Sequence, residues 1–237
     1  MENIPEKKWF NYFNNIRNKY NTRLSKSKAI VLFLDAKDST KNHVNLFKGE
    51  DNDFFNVLQE AAIYFTKKYN CIALAGTDEI SLIIEDTDRF IDTINNEKKF
   101  RTHDTVSVFS QYFFEFFNER YKGKIFWHCN CFNIQKEKIL SYLKYKSAGI
   151  LKGSTAYFLK HKGVKNPYGI KLEEKLKIFA TYEDSNIIDD YKEGILYLSG
   201  SRIDIEEYFK GNVVKISKSD SNSSDNFISL DDFDKLF

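Results

Sequence analysis

The sequence predicts an α+β fold, a ferredoxin-like or palm core in which helices pack on one face of an antiparallel sheet. Three observations carry that prediction. The run Ala29-Ile30-Val31-Leu32-Phe33-Leu34 is continuously apolar and ends in Asp35, as a strand buried on both faces would. Phe54, Val57, Leu58, Ala61, Ala62 and Phe65 form one helical stripe, and Val108, Phe109, Tyr112, Phe113 and Phe116 form a second. Between these stripes lie two short apolar runs, Cys71–Ala75 and Ile80–Ile84, joined by Gly76-Thr77-Asp78-Glu79. Glycine and aspartate in so short a connection favour a tight hairpin.

In chain order, residues 6–22 place Trp9, Phe10, Phe13, Ile16 and Tyr20 at helical spacing. The first strand follows, then a helix from Asp53 to about Tyr69, the hairpin, a polar stretch with Asn95, Asn96, Lys98 and Lys99, and a helix from Thr105 to about Tyr121. Ile125–Ile134 alternates apolar and other residues and reads as a strand. Strand, helix, strand, strand, helix, strand is the order of the ferredoxin-like and palm cores. There the first and third strands are antiparallel neighbours, so Asp35 at the end of one meets Asp78 at the start of the other. Past Gln135, a helix with Ile139, Leu140, Leu143 and Tyr145 leads into a basic, glycine-containing segment, 144–163. Residues 165–212 are mixed, with a strand at Gly194–Leu198. Serine, aspartate and asparagine dominate 215–226, which reads as flexible. The division expected is 1–134 for the N-terminal helix and catalytic core, 135–214 for an α/β extension of the same domain, and 215–237 for a tail.

The 237 residues suffice for a large core, with aromatics at 16%. A net charge of +2 argues against general affinity for nucleic acid but leaves room for a local basic groove. Three cysteines without zinc spacing, a polar start and no apolar run of membrane length point to a soluble cytoplasmic protein, with no membrane partner.

Two aspartates at one strand junction are the arrangement that binds divalent metal for phosphate chemistry. Taken singly, Asp35 reads as a turn cap and Asp78 as a hairpin residue. Together they read as catalytic ligands of two Mg²⁺ ions, with the Ala36 main-chain carbonyl as a third contact. Glu79 is adjacent to Asp78, and alternation along a strand assigns it a supporting role. Lys37, Ser39 and Thr40 follow Asp35 in a polar loop suited to a triphosphate, with Lys37 or Lys48 as the counter-charge. Lys144, Lys146, Lys152, Lys160, Lys162 and Lys165 interleave with Tyr142, Tyr145 and Tyr157, a mixture suited to RNA or to a solvated helix face. His103 and His128 read as core or surface residues. Cys129 and Cys131 share one face of their strand and read as small core residues.

At these residues the chain resembles the tRNA-His guanylyltransferase family, including its Thg1-like branch. Asp35-Ala36-Lys37 is similar to that family's Asp-Gly-Arg segment, and Phe47-Lys48-Gly49-Glu50-Asp51 to its Phe-x-Lys segment. Gly76-Thr77-Asp78-Glu79-Ile80-Ser81 resembles its Ser-Asp-Glu-Tyr-Ser hairpin, and Tyr142-Leu143-Lys144-Tyr145-Lys146 its Tyr-Leu-x-Trp-Arg. The resemblance implies a palm fold, magnesium dependence, and 3′-to-5′ addition of nucleotides to the 5′ end of tRNA or another structured RNA. It also implies a homotetramer or dimer. Asp35, Ala36 and Asp78 would hold metal, and Asp35, Ala36, Lys37, Asp38, Ser39, Thr40, Lys48, Thr77 and Asp78 would contact GTP or ATP. Lys144, Lys146 and Lys152 are the candidate RNA contacts. The chain departs from the family at Phe33, Ala36 and the segment Gly149–Ser154. A palm-domain nucleotidyl cyclase, which also pairs aspartates on the first strand and the hairpin, is the alternative reading. A non-catalytic nucleotide- or RNA-binding relative is the third.

Overall fold

A computed structural model describes residues 23–37, 52–88, 90, 101–123, 125–183, 193–211, 214–215 and 227–228. The helix expected over 6–22, residues 216–226 of the stretch read as flexible, Asp38, Ser39, Thr40 and Lys48 lie outside the described residues.

Strand β1 (Ala29–Ala36) is followed by helix α1 (Asn52–Tyr69), the hairpin strands β2 (Ile72–Ala75) and β3 (Glu79–Ile84), helix α2 (Thr102–Arg120) and strand β4 (Trp127–Ile134). A 3₁₀ turn at Lys136–Lys138 opens the long helix α3 (Ile139–His161). A second turn at Pro167–Gly169, helix α4 (Leu172–Phe179), strands β5 (Ile195–Leu198) and β6 (Ser201–Ile203) and helix α5 (Ile205–Lys210) complete the main body. Strands β7 (Val214–Lys215) and β8 (Phe227–Ile228) pair separately.

The sheet has six strands in the order β4-β1-β3-β2-β5-β6, with every neighbouring pair antiparallel. Its first four positions are the expected core order, with β1 between β4 and β3. The hairpin connection is one residue shorter than the sequence suggests. Glu79 already belongs to β3, opposite Asp35, and the Gly76 amide closes the turn onto the Glu79 carbonyl at 2.8 Å.

Alternate residues of β1 serve two apolar layers, which explains why its run is apolar at both parities. Ile30, Leu32, Leu34 and Ala36 face α1 and α2, whose Phe54, Phe65, Tyr69, Phe109, Phe113 and Phe117 are buried there. Ring contacts tie that layer together, such as Phe65 to Phe113 at 5.4 Å and Phe113 to Trp127 at 4.8 Å. Cys129 and Cys131 pack on the same side. Ala29 and Val31 face the other way, against Ile139, Leu143 and Ile150 of α3. The core helices thus lie on one face as expected, and the extension supplies the cover for the second. The basic segment 144–163 is not a break after a short helix: α3 runs through Gly149 and Gly153 to His161. Among the described residues, no helix is long and apolar enough to cross a membrane.

Candidate active site

The acidic centre forms because β1 and β3 run antiparallel and end together. Asp35 lies opposite Glu79 on one side and His128 on the other. The Ala36 amide donates to the Asp78 carbonyl at 2.9 Å, and the Lys37 amide to the Phe126 carbonyl at 2.8 Å. These bonds fix the backbone that carries Asp35 beside the backbone that carries Asp78. Thr77 Oγ1 donates to Asp78 Oδ1 at 3.1 Å, which orients that carboxylate.

Burial, reinforced by the negative charge of Asp78, holds the Asp35 carboxyl above its ordinary pKa, while His128 and Lys146 pull it back. Two partly desolvated carboxylates within reach of each other are a site that a divalent cation relieves. Asp35, Asp78 and the Ala36 carbonyl could hold such an ion, because magnesium takes oxygen donors, few of them protein carboxylates, and keeps its waters. Among the described residues, no group of three or more His, Cys, Asp and Glu side chains converges to hold a metal.

Glu79 is the third acid, and it is engaged. Lys146 of α3 reaches it at 2.7 Å, with the Lys146 Nζ also 3.9 Å from the centre of the Phe33 ring. Burial pushes the Glu79 carboxyl up, and the Lys146 hydrogen bond and charge draw it down. The supporting role expected of Glu79 agrees with this contact, but the argument from alternation does not: residues directly opposite on paired strands share a face, so Glu79 and Asp35 leave the sheet on the same side.

The candidate RNA lysines separate. Lys146 is directed into the acidic centre, so its position differs from that of a solvated cation awaiting a phosphate backbone. Lys144 is exposed, 5.7 Å from the Phe209 ring. The Lys152 side chain is exposed too, while its main-chain carbonyl accepts from buried Lys175 at 3.3 Å. Lys162 lies over Phe158 and Tyr182. The basic residues are therefore spread around α3 rather than aligned in one stripe.

Four groups near the acids were not assigned to the acidic centre by sequence, which read Tyr142 and Tyr157 with the lysines and His128 as a core or surface residue, and did not name Tyr168. Tyr142 shares a 3.1 Å hydrogen bond with Ser81, and burial pushes its phenol up to about 12. Tyr157 is also pushed up to about 12 by burial, with Tyr168 and Asp78 adding to it. Burial and then Asp78 raise Tyr168. His128 is exposed and stands beside Asp35, a position that counting back from Ile134 on β4 could have located.

The sequence matches no protein-family model, and no curated protein matches it. Solved structures do. A bacterial tRNA-His guanylyltransferase (Thg1)-like protein in complex with ATP superposes with a TM-score of 0.62 at 17% identity, over 79% of this chain and 87% of that one. The structure of such a bacterial protein in complex with GTP gives 0.62 at 14% identity, over 81% and 84%. The tRNA-His guanylyltransferase from Saccharomyces cerevisiae gives 0.57 at 16% identity, over 80% and 93%. The chain has the palm fold of the Thg1-like proteins. In this fold Asp35 near the end of β1 and Asp78 just before β3 lie on adjoining backbone, and α3 crosses the sheet face from which Asp35 projects.

Proposed function

We propose that this chain is a divergent Thg1-like nucleotidyltransferase that adds nucleotides in the 3′-to-5′ direction to the 5′ end of tRNA or a related RNA. The observation that supports this most is the coupling of Asp35 to Asp78 at adjoining ends of β1 and β3. That this pair lies on a palm fold shared with proteins solved with ATP and with GTP adds weight.

Addition in this direction joins the 3′-hydroxyl of the incoming nucleotide to the α-phosphorus of an activated 5′ end. The new O–P bond forms as pyrophosphate leaves. Asp35, Asp78 and the Ala36 carbonyl are the residues that would hold two Mg²⁺ ions. When bound, such ions lower the pKa of an attacking hydroxyl and offset charge on the leaving pyrophosphate. Thr77 keeps Asp78 oriented, and the loop from Lys37 through Thr40, with Lys48, is where the triphosphate of GTP or ATP would lie. The full assembly is expected to be a cytoplasmic homotetramer or dimer.

The test incubates the protein with Mg²⁺, labelled GTP or ATP, and a 5′-truncated tRNA. Elongated RNA that disappears in Asp35→Ala is the expected result. A cyclic nucleotide made without RNA would instead identify a palm-domain cyclase. If neither product forms and Asp35→Ala leaves nucleotide binding unchanged, the chain is a binding relative and the proposal fails.

A further inference from the structure

Three carboxylates gather at the end of β1 and β3, yet one of them is withheld. Glu79 stands opposite Asp35 and next to Asp78, close enough for all three charges to act on one another. Its carboxylate is nevertheless turned to Lys146 at 2.7 Å, in a contact that leaves only 15% of the lysine side chain and 19% of the glutamate side chain exposed. The lysine is fixed a second time, by the Phe33 ring at 3.9 Å. Helix α3 is itself seated tightly at this end. A side chain at Gly76 would meet Ile150 Cγ1 at 3.0 Å, and one at Gly194 would meet Ile150 Cδ1 at 3.0 Å.

A largely buried ion pair of this kind gives little net stability over an apolar pair of the same volume. Stability is therefore a weak reason for a lysine in this place. A stronger reason is the chemistry beside it. A free Glu79 would be a further oxygen donor at a site whose metal retains much of its water and takes few carboxylates.

We propose that Lys146 is a positioning residue, a built-in counter-ion that keeps Glu79 out of the metal's coordination and reserves the ion for Asp35 and Asp78. The inference rests on the metal reading given under Proposed function. It gives α3 a part in setting the ligand set, from a helix that contributes no ligand. It also makes Phe33 more than a packing residue, because the ring holds the ammonium in line with Glu79.

Mn²⁺ binding to the full-length protein, without nucleotide, tests this by calorimetry or by the electron spin resonance of free Mn²⁺. Lys146→Met removes one positive charge and releases Glu79, so affinity is expected to rise about tenfold or more. Lys146→Arg should stay near the parent, and adding Glu79→Gln to Lys146→Met should cancel the gain. A merely structural lysine would give the opposite sign, since a disordered site holds metal less well. If Lys146→Met does not fold, Lys146→Gln, which removes the charge but keeps a weaker donor for Glu79, is expected to give a smaller rise, again cancelled by Glu79→Gln. Unchanged or weaker binding in the folded variant overturns the proposal. Asp35→Asn separates the two failures: if it leaves Mn²⁺ binding intact, the metal reading itself is wrong.

Discussion

Asp35 carries a cost in the metal-free protein. A carboxyl whose folded pKa lies above its unfolded value is disfavoured in its ionised form by folding. That cost is complete above the folded pKa, shrinks as pH falls from the folded value toward the unfolded one, and is gone below the unfolded value. At neutral pH Asp35→Asn should therefore stabilise the metal-free chain, chiefly because a partly buried carboxylate no longer has to be desolvated and then because the repulsion from Asp78 is gone, by about 0.2–1 kcal/mol at a site this open to solvent, while abolishing transfer. A denaturant titration at pH 7.5 checks it, and a loss of stability would mean that burial and Asp78 together do not disfavour the ionised Asp35 carboxyl. The cysteines make an independent case. Burial pushes Cys129 and Cys131 up to about 12 and raises Cys71 as well. Alkylation by iodoacetamide at pH 8 should be slow in the native protein and fast in denaturant; rapid native labelling of Cys129 or Cys131 would show that the α1/α2 layer does not seal β4. At this scale the aspartates were legible in sequence, because each sits where an apolar run ends beside a turn. Lys146 was not. Its neighbours Lys144 and Lys152 are solvated, and only the crossing of α3 over Phe33 and Glu79 sets it apart from them.

Helix α3 shows how one element mixes glycines of different meaning. It contains Gly149 and Gly153, where an added Cβ would meet nothing within 4 Å, and it packs on Gly194, where φ is +89° and a Cβ would lie 2.9 Å from Leu74 Cδ1 and 3.1 Å from the Ala75 carbonyl. Gly149→Ala and Gly153→Ala should each stabilise by about 0.5–1 kcal/mol, since alanine restricts the unfolded chain and favours helix. Gly194→Ala should destabilise by about 1–3 kcal/mol, from a left-handed backbone and a backbone clash together. Chemical denaturation of the three variants separates the two kinds, and equal effects would contradict the seat of α3 on the sheet. Strands and core helices were readable because periods of two and of three to four recur in them. The continuity of α3 was not, because glycines and lysines on a solvated face look like a loop when the buried side, Leu143, Ile150 and Phe158, is read only as scattered apolar residues. The extent of the hairpin turned on Glu79, whose membership of β3 depends on pairing with Asp35 rather than on its own propensity.

For the molecule as a whole, two apolar layers enclose one sheet, and the acidic centre sits where β1 and β3 adjoin at one end of it. Ordering of that centre by ligand is therefore linked to the stability of the entire body. A ligand that binds only the folded state adds RT ln(1 + [L]/Kd), about 2.7 kcal/mol at a hundredfold excess over Kd. For a chain of this size that corresponds to a rise in Tm of roughly 5–10 °C. Mg²⁺ with GTP or ATP should produce such a shift in a thermal melt, and Asp78→Asn, which lacks one of the paired charges, should show little or none. Nucleotide without Mg²⁺ should give a smaller shift, because the negative triphosphate then faces Asp35 and Asp78 with only Lys146 and nearby lysines to offset them. An equal shift with and without Mg²⁺ would mean that the nucleotide binds away from the aspartates. The palm fold would then serve recognition, and the transfer chemistry assigned to the pair would have to be given up.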